Sequence, residues 1–298
     1  MKPVKLIKRY RIDHPGRFRL SDFDCADTCG IDLDKDEAKA MLAEDIKRLA
    51  HLQQRLYADD HWALLVVLQG MDASGKDGVI KHVMTGINPQ GCEVHPFKAP
   101  SPEELDHDFL WRAGRRLPER GRIGIFNRSH YEEVLVVRVH PQLLERQKLP
   151  AVARKKIWKH RFESIREFEH HLARNGVVVL KFFLHVSPEE QARRLLERVD
   201  DPAKRWKFSM GDIAERKLWD EYMAAYEDMV RETSRPHAPW YVVPADNKPF
   251  ARLMVASAIV AALEELDLEY PNVEGAAFEE LRKVRAALVA QAGGKGNK

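Results

Sequence analysis

The apolar residues of this chain gather into short dense runs, separated by longer stretches where they recur every three or four positions. The run Ala63, Leu64, Leu65, Val66, Val67, Leu68 has no polar member. Similar runs stand at 123–126 (Ile-Gly-Ile-Phe), 177–184 (Val-Val-Val-Leu-Lys-Phe-Phe-Leu) and 240–243 (Trp-Tyr-Val-Val), with a shorter one at 92–97. Runs of this kind predict strands covered on both faces. Residues 35–57 instead place Met41, Leu42, Ile46, Leu49, Leu52 and Leu56 near helical spacing, and Val79, Ile80, Val83 and Met84 repeat that spacing after the first run. Two segments carry the same helix-start signature, Ser101-Pro102-Glu103-Glu104 and Ser187-Pro188-Glu189-Glu190, in which Ser caps, Pro takes the first helical position and Glu reaches back. Alternating strands and helices predict an α/β fold with a parallel, doubly wound sheet flanked by helices.

The pattern divides the chain into an N-terminal arm and helix (1–60), a core (61–270), and a C-terminal helix with a frayed tail (271–298). Inside the core, residues 187–235 read as a mobile helical lid: a helix, a polar bend at Asp200-Asp201-Pro202, and a long helix from about Asp212. The stripe Leu218, Tyr222, Ala225, Tyr226, Met229 on that second helix reads as core packing.

Composition narrows the class. With 298 residues and 44% apolar content the chain suffices for one large α/β domain. No apolar stretch approaches the roughly 18 residues of a membrane span, and the first ten residues lack a signal-peptide core, so a soluble cytoplasmic protein without membrane partners is expected. A net charge of +3 from 49 basic and 46 acidic residues gives no whole-molecule attraction to nucleic acid, so any basic site must be local. Cys25, Cys29 and Cys92 make neither a disulfide framework nor a zinc site.

Directly after the first run comes Gly70-Met71-Asp72-Ala73-Ser74-Gly75-Lys76, the phosphate-loop pattern between a buried strand and an apolar-periodic helix. Gly70 and Gly75 let the backbone curl so that N–H groups, those of Ala73 and Ser74 among them, surround a phosphate; Lys76 reaches the outer phosphates and the helix dipole adds to the attraction. Asp77 stands where a Ser or Thr hydroxyl normally meets magnesium, although an acid in a first helical turn is also favoured by the dipole alone. Asp72 inside the loop would repel a phosphate unless a metal lies between them or it receives a proton or orients an acceptor during transfer; an Asx-turn cap is the bland alternative.

A second segment, Asn127-Arg128-Ser129-His130-Tyr131-Glu132-Glu133, follows the 123–126 run, at the strand end where such sheets bind ligands. Asn127 occupies the place of the usual magnesium-holding Asp, which shifts metal binding to Asp72 with Glu132 or Glu133. Arg128 suits a phosphate clamp, or else an internal salt bridge with Glu132. His130 is a candidate for proton transfer, but reads rather as a packed, hydrogen-bonded histidine. On the lid, Arg193, Arg194 and Arg198, then Lys204, Arg205 and Lys207 around Trp206, favour an anion longer than a mononucleotide, against the alternative of a solvated face. Lys81, His82 and Lys98 would extend the basic track.

Three segments, Gly-Met-Asp-Ala-Ser-Gly-Lys-Asp-Gly (70–78), Phe-Asn-Arg-Ser-His-Tyr-Glu (126–132) and Asp-Pro-Ala-Lys-Arg-Trp-Lys (201–207), with the late Pro-His-Ala-Pro-Trp-Tyr-Val-Val-Pro-Ala-Asp (236–246), closely resemble the second family of polyphosphate kinases over about residues 30–268. The resemblance implies a P-loop kinase-like, thymidylate-kinase-like core with a lid. It implies reversible transfer of the terminal phosphate of inorganic polyphosphate to AMP or ADP, with ATP as the final product, using Mg2+ or Mn2+ as its substitute. By position it makes Asp72, Lys76 and Arg128 catalytic. Gly70, Ala73, Ser74, Gly75, Lys76, Asp77, Lys81, Arg128, Arg194, Arg198, Lys204, Arg205 and Lys207 would bind phosphate or polyphosphate. Asp72, Asn127, Arg128 and Glu132 would bind nucleotide, and Asp72 and Glu132 the metal. The Asn127 form resembles the subgroup that accepts both AMP and ADP. A homodimer or homotetramer is expected, with the helix after 270 open to an assembly role. An ATP-dependent kinase of a small metabolite or nucleotide is the first rival, and a non-catalytic nucleotide sensor the second.

Overall fold

A computed structural model describes residues 3–13, 15–29 and 35–293. Six strands form one sheet: β1 (Arg11–Ile12), β2 (Ala63–Gln69), β3 (Cys92–Pro96), β4 (Ile123–Asn127), β5 (Val177–His185) and β6 (Trp240–Pro244), in the order β1-β6-β5-β2-β4-β3. All neighbours run parallel except β1, which pairs antiparallel with β6 through Arg11 opposite Tyr241 and Ile12 opposite Trp240. Every residue of β2 is buried, as its all-apolar sequence requires of a central strand; Val66 sits opposite Ile125 on one side and Leu180 on the other. The two-residue edge strand β1 is absent from the sequence reading, because two residues carry no periodicity.

Helices cover the sheet. Lys248–Glu264 is apolar nearly all round, the pattern of a fully buried helix, and it packs along Lys35–Asp59 and the loop helix Lys76–Val83. Ile157–Arg174 packs on β5 and on Trp219–Thr233, where Tyr226 stacks on Phe183 with ring centroids 4.3 Å apart. Tyr222, Ala225, Tyr226 and Met229 are buried, the packing role read from their spacing. Ser101 and Glu104 make both bonds of a capping box. At the second signature only half forms: Ser187 Oγ accepts from the Glu190 N–H, but the Glu190 carboxylate turns to Arg193 and Arg194 instead.

The region read as a lid differs from its expected layout. Pro188–Asp200 is followed by a 3-10 turn at Arg205–Lys207 and a short helix Met210–Arg216, and the expected long helix breaks at Lys217 and Leu218 before restarting at Trp219. Tyr222 Oη donates to Glu215 Oε2 across that break at 2.6 Å, holding the two helices together. The C-terminal helix Gly275–Gly293 is present, and its side chains through Ala292 are exposed, Phe278, Leu281, Val284 and Leu288 included. Of the expected frayed tail, 293–298, Gly293 is the last residue of this helix and 294–298 lie outside the described residues. No helix among the described residues is long and apolar enough to cross a membrane.

Candidate active site

The loop after β2 is shaped by backbone positions that few residues tolerate. Gly70 has φ +151°, and a Cβ there would stand 2.8 Å from the Leu184 carbonyl oxygen; Gly75, capping the loop helix, has φ +112°. Ala73 is also left-handed (φ 60°), a strain that persists only where surroundings hold it. Lys76 is buried, and its Nζ donates to the carbonyls of Gly70 (2.6 Å) and Met71 (3.1 Å). Burial, and then the nearby Arg128, push its pKa down to about 8, against the pull of Asp72, Glu132 and Asp77.

Parallel pairing of β2 with β4 brings the second segment beside the loop. Asn127 Nδ2 donates to Asp77 Oδ1 at 2.9 Å, so the two unusual positions of the sequence bind each other. Arg128, also left-handed (φ 61°), donates its backbone N–H to Leu68 O and places its guanidinium between Asp72 and Glu132, 3.1 Å from Glu132 Oε2. Burial alone would lower the pKa of this arginine, but the two carboxylates outweigh it and raise it, so the group stays charged. Of the two sequence readings of Arg128, the ion pair with Glu132 is present, and the side chain also lines the cleft. Gln69, at the end of β2, fixes Glu132; in the amide orientation that satisfies its neighbours it donates to Glu132 Oε1 (3.0 Å) and accepts from Ser129.

Two spaces meet at this arginine. A cleft of about 730 Å3 over the loop is lined by Asp72 to Val79, Asn127, Arg128, Lys98, Arg194, Arg198, Lys204 and Trp206. It is also lined by Lys248 and Arg252, which sequence reading missed. Their only signal was position: they occupy the first turns of the helix that Asn247 caps just after β6. A cavity of about 440 Å3 adjoins it, with apolar walls from Phe97, Leu105, Val136, Val137 and Leu143 and polar groups from Arg112, Arg146 and Glu132. Phe97, Lys98 and Arg128 line both.

The remaining cations divide. Arg198 is paired with Asp212 at 3.0 Å and Lys204 with Asp201 at 2.7 Å, yet both line the cleft. Arg194 is buried and already engaged: Nη1 donates to the carbonyls of Ala73 (3.1 Å) and Ser74 (2.8 Å), Nη2 to that of Ala245 (2.5 Å), and Nε to Glu190 (2.7 Å). It braces the loop before any ligand arrives. Arg205 turns back to the carbonyls of Val199 and Asp200, and Arg193 to Glu190 and Glu197; neither lines the cleft, nor do Lys81 and His82. The side chain of Lys207 lies outside the described ones.

His130 corrects an expectation. It packs against Tyr131 and Phe168, but neither ring nitrogen has a hydrogen-bond partner among the described residues, and burial lowers its pKa to about 3, with help from Lys181 and Arg112. The ring is therefore neutral near pH 7. Beneath it Lys181 Nζ donates to Glu169 (2.5 Å), Tyr131 Oη (3.0 Å) and Thr233 O (2.9 Å), and Tyr131 Oη donates to Glu169 (2.6 Å), so a buried polar knot anchors the turn that carries Glu132.

Known proteins with this architecture are close at hand. The chain is 52% identical over 257 residues to an ADP-polyphosphate phosphotransferase of Rhodopseudomonas palustris, spanning 86% of this chain and 89% of that one. It is 47% identical over 270 residues to an AMP/ADP-polyphosphate phosphotransferase of Meiothermus ruber, spanning 91% and 97%. The crystal structure of polyphosphate kinase 2 from Arthrobacter aurescens superposes with a TM-score of 0.86 at 38% identity, covering 97% of both chains. The sequence model described as Polyphosphate kinase 2 matches residues 32–271, and on that match and those relatives the chain belongs to the polyphosphate kinase 2 family.

Proposed function

We propose that this protein moves the terminal phosphate of inorganic polyphosphate onto AMP and ADP, and returns it from ATP in the reverse direction. One observation carries the reading: a cation-lined cleft of about 730 Å3, suited to a phosphate chain, and an apolar-walled cavity of about 440 Å3, suited to a nucleoside, meet at Arg128. Membership of the family supports the reaction class, and the relatives from Rhodopseudomonas palustris and Meiothermus ruber bear names that cover ADP alone and AMP with ADP. Asn127 as the strand-end residue favours acceptance of both nucleotides.

In this reading the polyphosphate end lies against the loop N–H groups and Lys76, while Arg198, Lys204, Lys248 and Arg252 hold the chain beyond it. The nucleoside occupies the cavity, with its terminal phosphate on Arg128. An oxygen of that phosphate attacks the terminal phosphorus of the chain in line; the bond to the bridging oxygen breaks, and the shortened chain leaves with the electron pair. Asp72 and Glu132 hold Arg128 in the resting site. No three His, Cys, Asp or Glu groups converge to cage a metal among the described residues, but magnesium is ordinarily held by one or two carboxylates plus substrate phosphates, and Asp72 with Glu132 fits that donor set. When bound, the metal supplies charge neutralisation between crowded phosphate oxygens. Residues 187–235 act as the lid in this reading, with assembly through the exposed helix Gly275–Gly293; a monomer in sedimentation equilibrium would remove that last element.

The test mixes purified protein with AMP or ADP, magnesium and long-chain polyphosphate, without ATP, and resolves the nucleotides with time. ATP formed from both acceptors is the expected result. ATP from ADP alone removes the broader acceptor range, and no product from either moves the assignment to an ATP-dependent kinase.

A further inference from the structure

The phosphate loop spends its carbonyls in an orderly way. Gly70 O and Met71 O accept from Lys76, Ala73 O and Ser74 O from Arg194, and between them Asp72 O accepts from Gln191 Nε2 at 2.8 Å. Gln191, on the first turn and a half of Pro188–Asp200, is 1% exposed and does not line the cleft. Its amide oxygen is in turn held by Arg216 Nη1 at 2.6 Å, and the same nitrogen also donates to Pro188 O at 2.9 Å. A chain of two hydrogen bonds thus runs from the end of the short helix Met210–Arg216 to the main chain of the loop carboxylate.

In a trans peptide the carbonyl and the following N–H point in opposite directions. Drawing Asp72 O away from the cleft therefore turns the Ala73 N–H toward it, and Ala73 is the non-glycine residue of the loop held left-handed. Released, that peptide would relax by turning over, which relieves Ala73 and aims a carbonyl dipole at the phosphate. We propose that Gln191, set by Arg216, is a positioning residue that fixes the polarity of the Asp72–Ala73 peptide and with it the placement of Asp72. The inference rests on the phosphotransferase reading of the cleft. An amide is required because the position must both accept from Arg216 and donate to Asp72 O; glutamate keeps the first and loses the second.

The experiment compares Gln191→Leu, Gln191→Glu, Arg216→Met, Arg216→Lys and the double variant Gln191→Leu/Arg216→Met in the full chain, measuring kcat, KM for each substrate and melting temperature. Misplacing one loop donor lowers kcat by about 10- to 100-fold. That loss is expected in Gln191→Leu, Gln191→Glu and Arg216→Met, with KM for the nucleotide unchanged; Arg216→Lys, which keeps a donor, retains most of the activity. The double variant falls no further than the singles, because both side chains act through one carbonyl. Full activity in Gln191→Glu, losses that multiply in the double variant, or losses that track a collapse in melting temperature in both Gln191→Leu and Arg216→Met would each overturn the inference. A wild type that ignores polyphosphate refutes the functional reading instead, and the variants are then compared on whichever phosphoryl donor it accepts.

Discussion

Lys76 provides the sharpest test, because the resting structure leaves it poorly placed to stay charged. Its ammonium is buried against two carbonyls, with its pKa brought from 10.5 down to about 8. Restoring the ordinary value on binding a polyanion corresponds to about 3 kcal/mol at 1.36 kcal/mol per pKa unit. The sign follows from linkage: the free-state pKa lies below the bound-state one, so binding takes up protons between about pH 8 and 10.5, and affinity falls as pH rises through that window. With a free-state pKa of about 8, roughly nine-tenths of Lys76 is neutral at pH 9, giving an uptake of about 0.9 proton per polyphosphate bound at pH 9 and about 0.1 at pH 7. Calorimetric titration of tripolyphosphate in two buffers of different ionisation enthalpy reads this number directly. Lys248, whose pKa is also lowered by burial, lines the same cleft, so Lys76→Met serves as the control and should remove most of the uptake. Uptake near zero at pH 9 in the wild type, or undiminished uptake in Lys76→Met, would show that this lysine is not the group that recharges on the phosphate.

Asp72→Asn should lower kcat by about 100- to 1000-fold, the cost of misplacing charge at the reacting centre, while a half-exposed ion pair of this kind holds at most about 1 kcal/mol of stability; near-wild-type turnover would end its catalytic assignment. Arg198→Ala should raise KM for long polyphosphate more than for tripolyphosphate and flatten the dependence on salt, and equal effects on both chain lengths would place it outside the chain path. Lys181→Met strands the Glu169 carboxylate beneath the sheet and should cost about 3 to 5 kcal/mol in urea unfolding, with Lys181→Met/Glu169→Leu recovering much of that. A single variant as stable as the wild type would mean that the knot contributes nothing.

Five of the six strands were legible because central parallel strands are written in uninterrupted apolar runs, and the loop because its glycines and lysine have few substitutes. The cations of residues 187–235 were less legible. Sequence shows that Arg193, Arg194 and Arg205 are charged, but not that carbonyls and neighbouring acids already occupy them; that is settled by distances across the fold. The same blindness hid Arg252, which lies far along the chain from the lid yet reaches the cleft because the helix after β6 starts beside the loop helix. The expectation for His130 followed the general rule that buried ring nitrogens find partners, whereas the ring packs against Tyr131 and Phe168 and neither nitrogen has a partner among the described residues.

The two-residue strand β1 bears on more than topology. Without Arg11 and Ile12, the outer side of β6 would present unpaired N–H and C=O groups beside Trp240 and Tyr241, a template for a strand from another molecule. The opposite edge, β3, carries Glu93 and His95 and ends in Pro96, residues that discourage such pairing chemically. One margin of the sheet thus carries side chains that discourage pairing, and the other is covered by Arg11 and Ile12, whose removal should open β6 to edge-to-edge association.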